Sequence, residues 1–216
     1  MDKVSLLQQK LQEIFAENAT SLAYGEVTMV VESQKLVKTC DDLKNMPDFK
    51  FNQLIDLCGV DLLHLGMSEW DVTNVHSTGY SRASHKIENN QLTKRYVVVY
   101  HLLSLEHNFR LRLKVFLSED KLRVPSVNAI WSSANWYERE CFDLYGVIFD
   151  NHPDLRRILT DYGFVGHPFR KDFPLEGNVE MHYDAKQGKC VYDKVEINNR
   201  TVIPKVIRKP SDPKVI

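Results

Sequence analysis

Between residues 136 and 184, acids and bases alternate at spacings that could carry chemistry. Trp136-Tyr-Glu-Arg-Glu-Cys-Phe-Asp-Leu-Tyr-Gly146 is followed by His152-Pro-Asp-Leu-Arg-Arg-Ile-Leu-Thr-Asp-Tyr-Gly163 and by Gly166-His-Pro-Phe-Arg-Lys-Asp-Phe-Pro174. The ionisable candidates are Glu138, Arg139, Glu140, Asp143, His152, Asp154, Arg156, Arg157, Asp161, His167, Arg170, Lys171 and Asp172. Three kinds of chemistry are open to them. As a solvated face, each exposed pair contributes only ~0–1 kcal/mol. As a hydrolytic site, Glu138 or Glu140 with His152 or His167 is raw material for proton transfer, although no nucleophile or metal-ligand set accompanies them. As a polar docking surface, arginines and carboxylates held by Pro and Gly turns would pair with a partner, where truncating one member of a buried pair costs about 2–5 kcal/mol.

Other signatures are missing. The chain has no GxxxxGK[ST] phosphate loop, no GxGxxG dinucleotide turn and no GxSxG elbow. Cys40, Cys58, Cys141 and Cys190 are separated by 18, 83 and 49 residues, unlike the clustered thiolates of an iron–sulfur site. The eight histidines form no HxxxH pair, which argues against a helical zinc site. Scattered cysteines without CxxC favour a reducing compartment.

At 216 residues, 43% hydrophobic and 26% charged, the chain can bury a sizeable core. A net charge of −1 gives no global pull toward nucleic acid or anionic lipid. The charge is uneven, however: residues 200–216 carry a local +4, leaving −5 on the rest. The N-terminus lacks the apolar region of a signal peptide, and Tyr96-Val-Val-Val-Tyr100 is far too short to cross a bilayer.

The elements that must position the charged stretch can be read from periodicity. Val4, Leu7, Leu11, Ile14 and Phe15 predict a helix from Asp2 to Glu17. Glu26–Val31 reads as a strand, with a short partner at Lys35–Val37. Cys40–Met46 reads as a brief helix stopped by Pro47. A strand follows around Cys58–Leu63, then a polar insertion over 66–91. Lys94–Leu105 and Asn108–Leu117 form a hairpin pair, the second alternating Phe109, Leu111, Leu113 and Val115 with Arg110, Arg112 and Lys114. Asn135 starts a helix with Glu138 in capping-box position, ending at Gly146; on it Arg139 and Asp143 are spaced i,i+4 to pair. Leu155, Ile158, Leu159 and Tyr162 suggest one more short helix, and the chain after Asp172 reads as an extended tail. The expected fold is α+β: helices on a mostly antiparallel mixed sheet in α-β2-α-β3 order, with a domain over 1–146 and a motif-bearing extended segment over 147–216.

With these residues in place, a resemblance emerges. Glu138-Arg-Glu140, Asp143-Leu-Tyr-Gly146, His152-Pro-Asp-Leu-Arg-Arg157, Leu159-Thr-Asp-Tyr-Gly163, Gly166-His-Pro168 and Arg170-Lys-Asp-Phe-Pro174 resemble the signature of the C-subunit (30 kDa) family of NADH:quinone oxidoreductase, respiratory complex I, of the bacterial type. Tyr100-His-Leu-Leu-Ser104, Arg110-Leu-Arg-Leu-Lys114, Ser126 and Trp131 extend it, and Leu54-Ile-Asp-Leu-Cys-Gly-Val-Asp61 does so weakly. Phe169 stands where the family usually shows Leu, and His182 where Arg is common.

The resemblance implies a scaffold without a redox site of its own, in a complex that passes electrons from NADH through FMN and iron–sulfur clusters to quinone and pumps protons. It implies packing on the D subunit of complex I, near the B subunit, peripherally on the cytoplasmic side of the inner membrane, with only indirect membrane contact. The thirteen ionisable candidates would then form the partner interface. An independent hydrolase using Glu140 and His152, and the equivalent docking subunit of a membrane-bound hydrogenase or photosynthetic NDH-type complex, are the alternatives. The basic tail, with Val202-Ile-Pro-Lys-Val-Ile207, reads either as a wrapping arm or as a frayed terminus.

Overall fold

Leu7 and Leu11 lie one turn apart and are both fully buried, which fixes the inward face of the first helix, α1 (Lys3–Ile14). It is the expected helix, shorter by a few residues at the C-terminal end. The computed structural model describes residues 2–63, 65, 94–174 and 179–195. The expected 66–91 insertion and the C-terminal arm lie outside these residues.

After α1 come β1 (Thr20–Ala23) and β2 (Glu26–Val30), joined by Tyr24 and Gly25 at φ 52° and 77°. Two positive φ angles in a two-residue loop match the right-handed twist of a hairpin. The partner of β2 is therefore β1 and not Lys35–Val37. That stretch instead opens α2 (Leu36–Asn45) behind a 3₁₀ turn at Ser33–Lys35. Leu36, Cys40 and Leu43 recur at helical spacing and are completely buried, so the helical period overrides the β-branched Val37. α2 ends before Pro47, as expected.

Then follow β3 (Gln53–Asp61), β4 (Tyr96–Ser104) and β5 (Phe109–Leu117). The five strands form one mixed sheet ordered β1-β2-β5-β4-β3, parallel only between β2 and β5. The α-β2-α-β3 order holds. Phe109, Leu111, Leu113, Val115 and Leu117 of β5 are buried, while Arg110, Arg112 and Lys114 face outward. Side chains bond to the chain where β3 begins: Trp131 Nε1, Ser133 Oγ and Tyr137 Oη donate to the carbonyls of Phe51, Leu54 and Ile55 at 3.1, 3.4 and 3.0 Å. Occupied carbonyls cannot template another strand.

A short parallel pair, β6 (Arg123–Pro125) and β7 (Ile148–Asp150), brackets the third helix, α3 (Ala134–Tyr145). Gly59 of β3 lets α3 approach closely, because a Cβ there would strike the Tyr145 ring. The chain divides into two units, residues 1–63 with 91–173, and 64–90 with 174–216. Residues 147–173 thus belong with the first unit rather than with the segment that follows. In the second unit the expected extended tail contains an antiparallel hairpin, β8 (Val179–Asp184) with β9 (Lys189–Lys194). Its turn is held by Asp184, which accepts from the Lys186 amide at 2.8 Å, and His182 faces Asp193 at 3.3 Å.

Candidate functional site

α3 ends at Gly146, whose φ of 79° is the left-handed conformation that closes a helix. The last carbonyls of any helix lack intrahelical donors. Here one segment serves three in succession. His167 Nδ1 donates to Asp143 O at 2.9 Å, the Phe169 amide to Leu144 O at 3.1 Å, and Arg170 Nε to Tyr145 O at 2.7 Å. A cation at this end also suits the negative pole of the helix. A side chain on Gly146 would collide with Arg170 and His167.

The Asp143 side chain holds the preceding loop. It is wholly buried, and its Oδ2 accepts the amides of Ile158, Leu159 and Thr160 at 3.0, 2.7 and 2.8 Å. Its Oδ1 accepts Arg157 Nη1 at 2.8 Å and Thr160 Oγ1 at 2.5 Å. Arg157 reaches on to Gly166 O at 2.9 Å and stands over the Phe164 ring. Burial works to raise the Asp143 pKa, but the Thr160 hydroxyl, the loop amides and Arg157 outweigh it and hold the carboxyl far below the usual range. These bonds explain why 155–162 is not the expected helix: amides that would have bonded back along the chain are drawn to a carboxylate on α3. Arg139 is likewise not paired with Asp143, since its guanidinium donates to the carbonyls of Arg156 and Arg157, both at 3.1 Å.

A second cluster sits where β3 ends and β4 begins. Arg95 grips Asp61 with two bonds, Nε to Oδ1 at 2.9 Å and Nη2 to Oδ2 at 2.7 Å. It also meets Glu119 at 2.7 Å and Asp172 at 3.0 Å. Asp61 accepts the Lys171 amide at 2.9 Å, so the end of the motif segment is tied to the sheet. Burial opposes ionisation of Asp61, but Arg95 and the amides of Lys171 and Leu63 bring its pKa down to about 2. The Arg95 and Arg170 guanidiniums both stack on Tyr96, 4.8 and 5.4 Å from its centroid.

The third buried carboxylate is Glu138. It is not a helix cap; it accepts Ser126 Oγ at 2.6 Å and the Val127 amide at 2.8 Å, anchoring the loop before α3. Burial pushes its pKa up to about 7 despite both bonds. His152 Nε2 lies 3.9 Å away but is directed at Asn135 O, 3.1 Å distant, while Nδ1 accepts the Asp154 amide at 3.0 Å. The Glu138 and His152 side chains are fully buried, sealed from any substrate.

The remaining candidates are spread out. Glu140 is exposed, and among the described residues no ion pair joins it to a histidine. Asp154 and Arg156 form an exposed pair at 2.8 Å. Asp161 sits in the turn whose carbonyl accepts the Phe164 amide at 3.3 Å. The Lys171 residue is exposed, and Asp172 belongs to the Arg95 cluster. Sequence reasoning missed Arg95 and Glu119; it met Thr160 only as part of a motif and Asp61 only within a weak match. One signal was available: an arginine at the mouth of the buried run Tyr96–Tyr100 needs a counter-charge.

Beside these exposed charges the frame turns apolar side chains outward. Leu159, Tyr162, Val165 and Phe169 are 63%, 94%, 88% and 58% exposed, and Trp136 of α3 is 68% exposed. Cys40 and Cys141 are buried thiols. Burial drives the pKa of both upward, so they stay protonated in the folded chain. Among the described residues no group of three His, Cys, Asp or Glu could hold a metal ion, and no helix is long and apolar enough to cross a membrane.

Fold and site together define an α+β domain that uses buried charges to hold an irregular loop rigid and present its apolar side chains. The family model for the 30 kDa subunit of respiratory-chain NADH dehydrogenase matches residues 29–179, and the chain belongs to that family. It is 53% identical to the C subunit of NADH-quinone oxidoreductase from Legionella pneumophila strain Corby, covering 96% of this chain and 94% of the relative. It is 54% identical to the corresponding C subunit from Coxiella burnetii strain RSA 331, over 84% and 82% of the two chains. Among solved structures it resembles the trypsin-resistant fragment (1–134) of Nqo5, with TM-score 0.51 and 29% identity, covering 69% of this chain and 98% of that one. A chain of an archaeal membrane-bound sulfane sulfur reductase shares the fold at TM-score 0.54 and 21% identity, over 79% and 85% of the two chains.

Proposed function

We propose that the chain is a scaffold subunit of the peripheral arm of proton-pumping NADH:quinone oxidoreductase, complex I, with no redox site of its own. FMN and the iron–sulfur clusters belong to other subunits. The chain docks chiefly on the D subunit, near the B subunit, on the cytoplasmic face of the inner membrane, and meets the membrane only through the complex. Its relatives named as C subunits, about half identical along nearly the whole chain, support the host assignment. The observation that carries the docking role is the triple amide bond to Asp143, which fixes 158–160 from within. A loop rigid before binding loses little entropy on association, and electron and quinone sites tolerate little misplacement.

The motif charges serve this interface mostly by holding the loop; Glu140, Asp154, Arg156 and Lys171 are exposed and left to touch a partner directly. The hydrolase alternative is not favoured, because Glu138 and His152 are sealed and Glu140 is apart from both histidines.

Affinity purification of the tagged full-length chain from detergent-solubilised membranes tests the assignment. The D and B subunits, with cluster and flavin absorbance, are expected in stoichiometric amounts. A chain that purifies without them would sink it.

A further inference from the structure

The two edges of the five-stranded sheet differ. β3 carries a bulge between Leu54 and Asp56 and the charged Asp56 and Asp61, devices that deter a further strand. β1 has none of them. Thr20-Ser-Leu-Ala23 contains no charge and no proline, and its register with β2 is unbroken. In that register the Val30 amide donates to Ala19 O at 2.9 Å, so residues 19, 21 and 23 turn their backbone groups toward β2. The amides and carbonyls of Thr20 and Leu22 point the other way, to an edge where no described strand pairs. Leu22 shares a face with the buried Val27 opposite it, yet is 41% exposed.

The turn that ends this strand is strained. Two-residue loops of this kind favour Asn-Gly, because both residues sit at positive φ. Here the first is Tyr24, a bulky residue at φ 52°, and its side chain is wholly exposed. A ring in water gains nothing inside the chain to offset that strain, whereas a ring packed on a partner does.

Resting on the host complex proposed above, we propose that β1 is completed by an extended segment of another subunit, which pairs with Thr20 and Leu22, sets an apolar side chain beside Leu22 and ends against the Tyr24 ring. Alternating backbone donors and acceptors select an extended backbone and little else. A second copy of this chain is too small a contact: pairing four residues buries far less than the roughly 1,200 Å² of a stable free-standing interface. A segment of a subunit already held at the docking loop binds at high effective concentration, so a short edge suffices.

The test compares hydrogen exchange in the free full-length chain and in the purified complex. The Thr20 and Leu22 amides are expected to exchange at least about tenfold more slowly in the complex. Tyr24→Asn separates binding from folding. It relieves the left-handed backbone, so the free chain should melt no lower than wild type, while retention in the complex falls about tenfold. Leu22→Pro removes one outward amide and leaves the ladder to β2 intact, and it should lower retention to a similar extent. Unchanged exchange at Thr20 and Leu22 in an intact complex, or full retention of both variants, overturns the added strand and leaves the host reading standing. Protection of the same amides in a dimer of the free chain also overturns it, because the occupant is then a second copy. A chain that copurifies with neither the D nor the B subunit sinks the host reading and the added strand with it.

Discussion

The β4–β5 hairpin and the loop over 151–173 are held in opposite ways. In the hairpin, backbone groups satisfy one another across nine paired positions, and alternate side chains supply the apolar core. The loop has no such ladder. Its amides are collected by Asp143 and Asp61, and its carbonyls by Arg139 and Arg157. Irregular backbone next to a core still needs hydrogen-bond partners, and buried ionised groups supply them where strands cannot. Alternating acids and bases, which look like a surface for another molecule, are here mostly spent on holding the chain's own loop.

The largest effects should come from removing the central group of each region. Leu113→Ala in β5 should cost about 2–5 kcal/mol, and Asp143→Ala, which strands Arg157 and three amides, about 3–5 kcal/mol. Hydrogen exchange separates them: Asp143→Ala should expose the amides of 158–160 while β4 and β5 stay protected, whereas Leu113→Ala lowers protection throughout. Equal loss of protection in both regions would mean that the loop and hairpin unfold as one unit.

Protonation offers a second way to part them. Burial raises Glu138 from 4.5 to about 7, so the folded chain holds that proton more tightly than the unfolded one. Its contribution is fully present below pH 4.5 and lost as pH rises through 7, roughly 3 kcal/mol by linkage. Denaturation at pH 5 and pH 8 should show this fall, and Glu138→Gln should flatten it. Asp61 behaves oppositely. Lowered from 3.8 to about 2, it stabilises above pH 3.8 and loses roughly 2 kcal/mol as pH drops through 2. Asp61→Asn should remove that acid-limb dependence in the same measurement. The smallest effect is expected for Tyr162→Ala, within about 0.5 kcal/mol of wild-type stability, because the side chain touches almost nothing in the folded chain.

Elements with a strong period were legible. β5, the α3 terminus at Gly146 and the α-β2-α-β3 order follow from spacing and a single glycine. Lys35–Val37 misled because three residues are too few to separate a strand from the start of a helix whose buried face is Leu36, Cys40 and Leu43. The 155–162 segment misled for a different reason. Leu155, Ile158, Leu159 and Tyr162 do have helical spacing, but a carboxylate twelve residues before the segment outcompetes the helix for its amides. Arg95 was passed over because its three carboxylate partners, Asp61, Glu119 and Asp172, come from distant parts of the sequence.

Residue order alone determined the strongly periodic elements and the family, since periodicity and ordered motifs are local properties of the chain. Which way each charge turns was decided only by the tertiary structure. A carboxylate is drawn to whatever donors folding brings within 3 Å. For Asp143 and Asp61 those donors include the backbone amides of Ile158 and Lys171, 15 and 110 positions away.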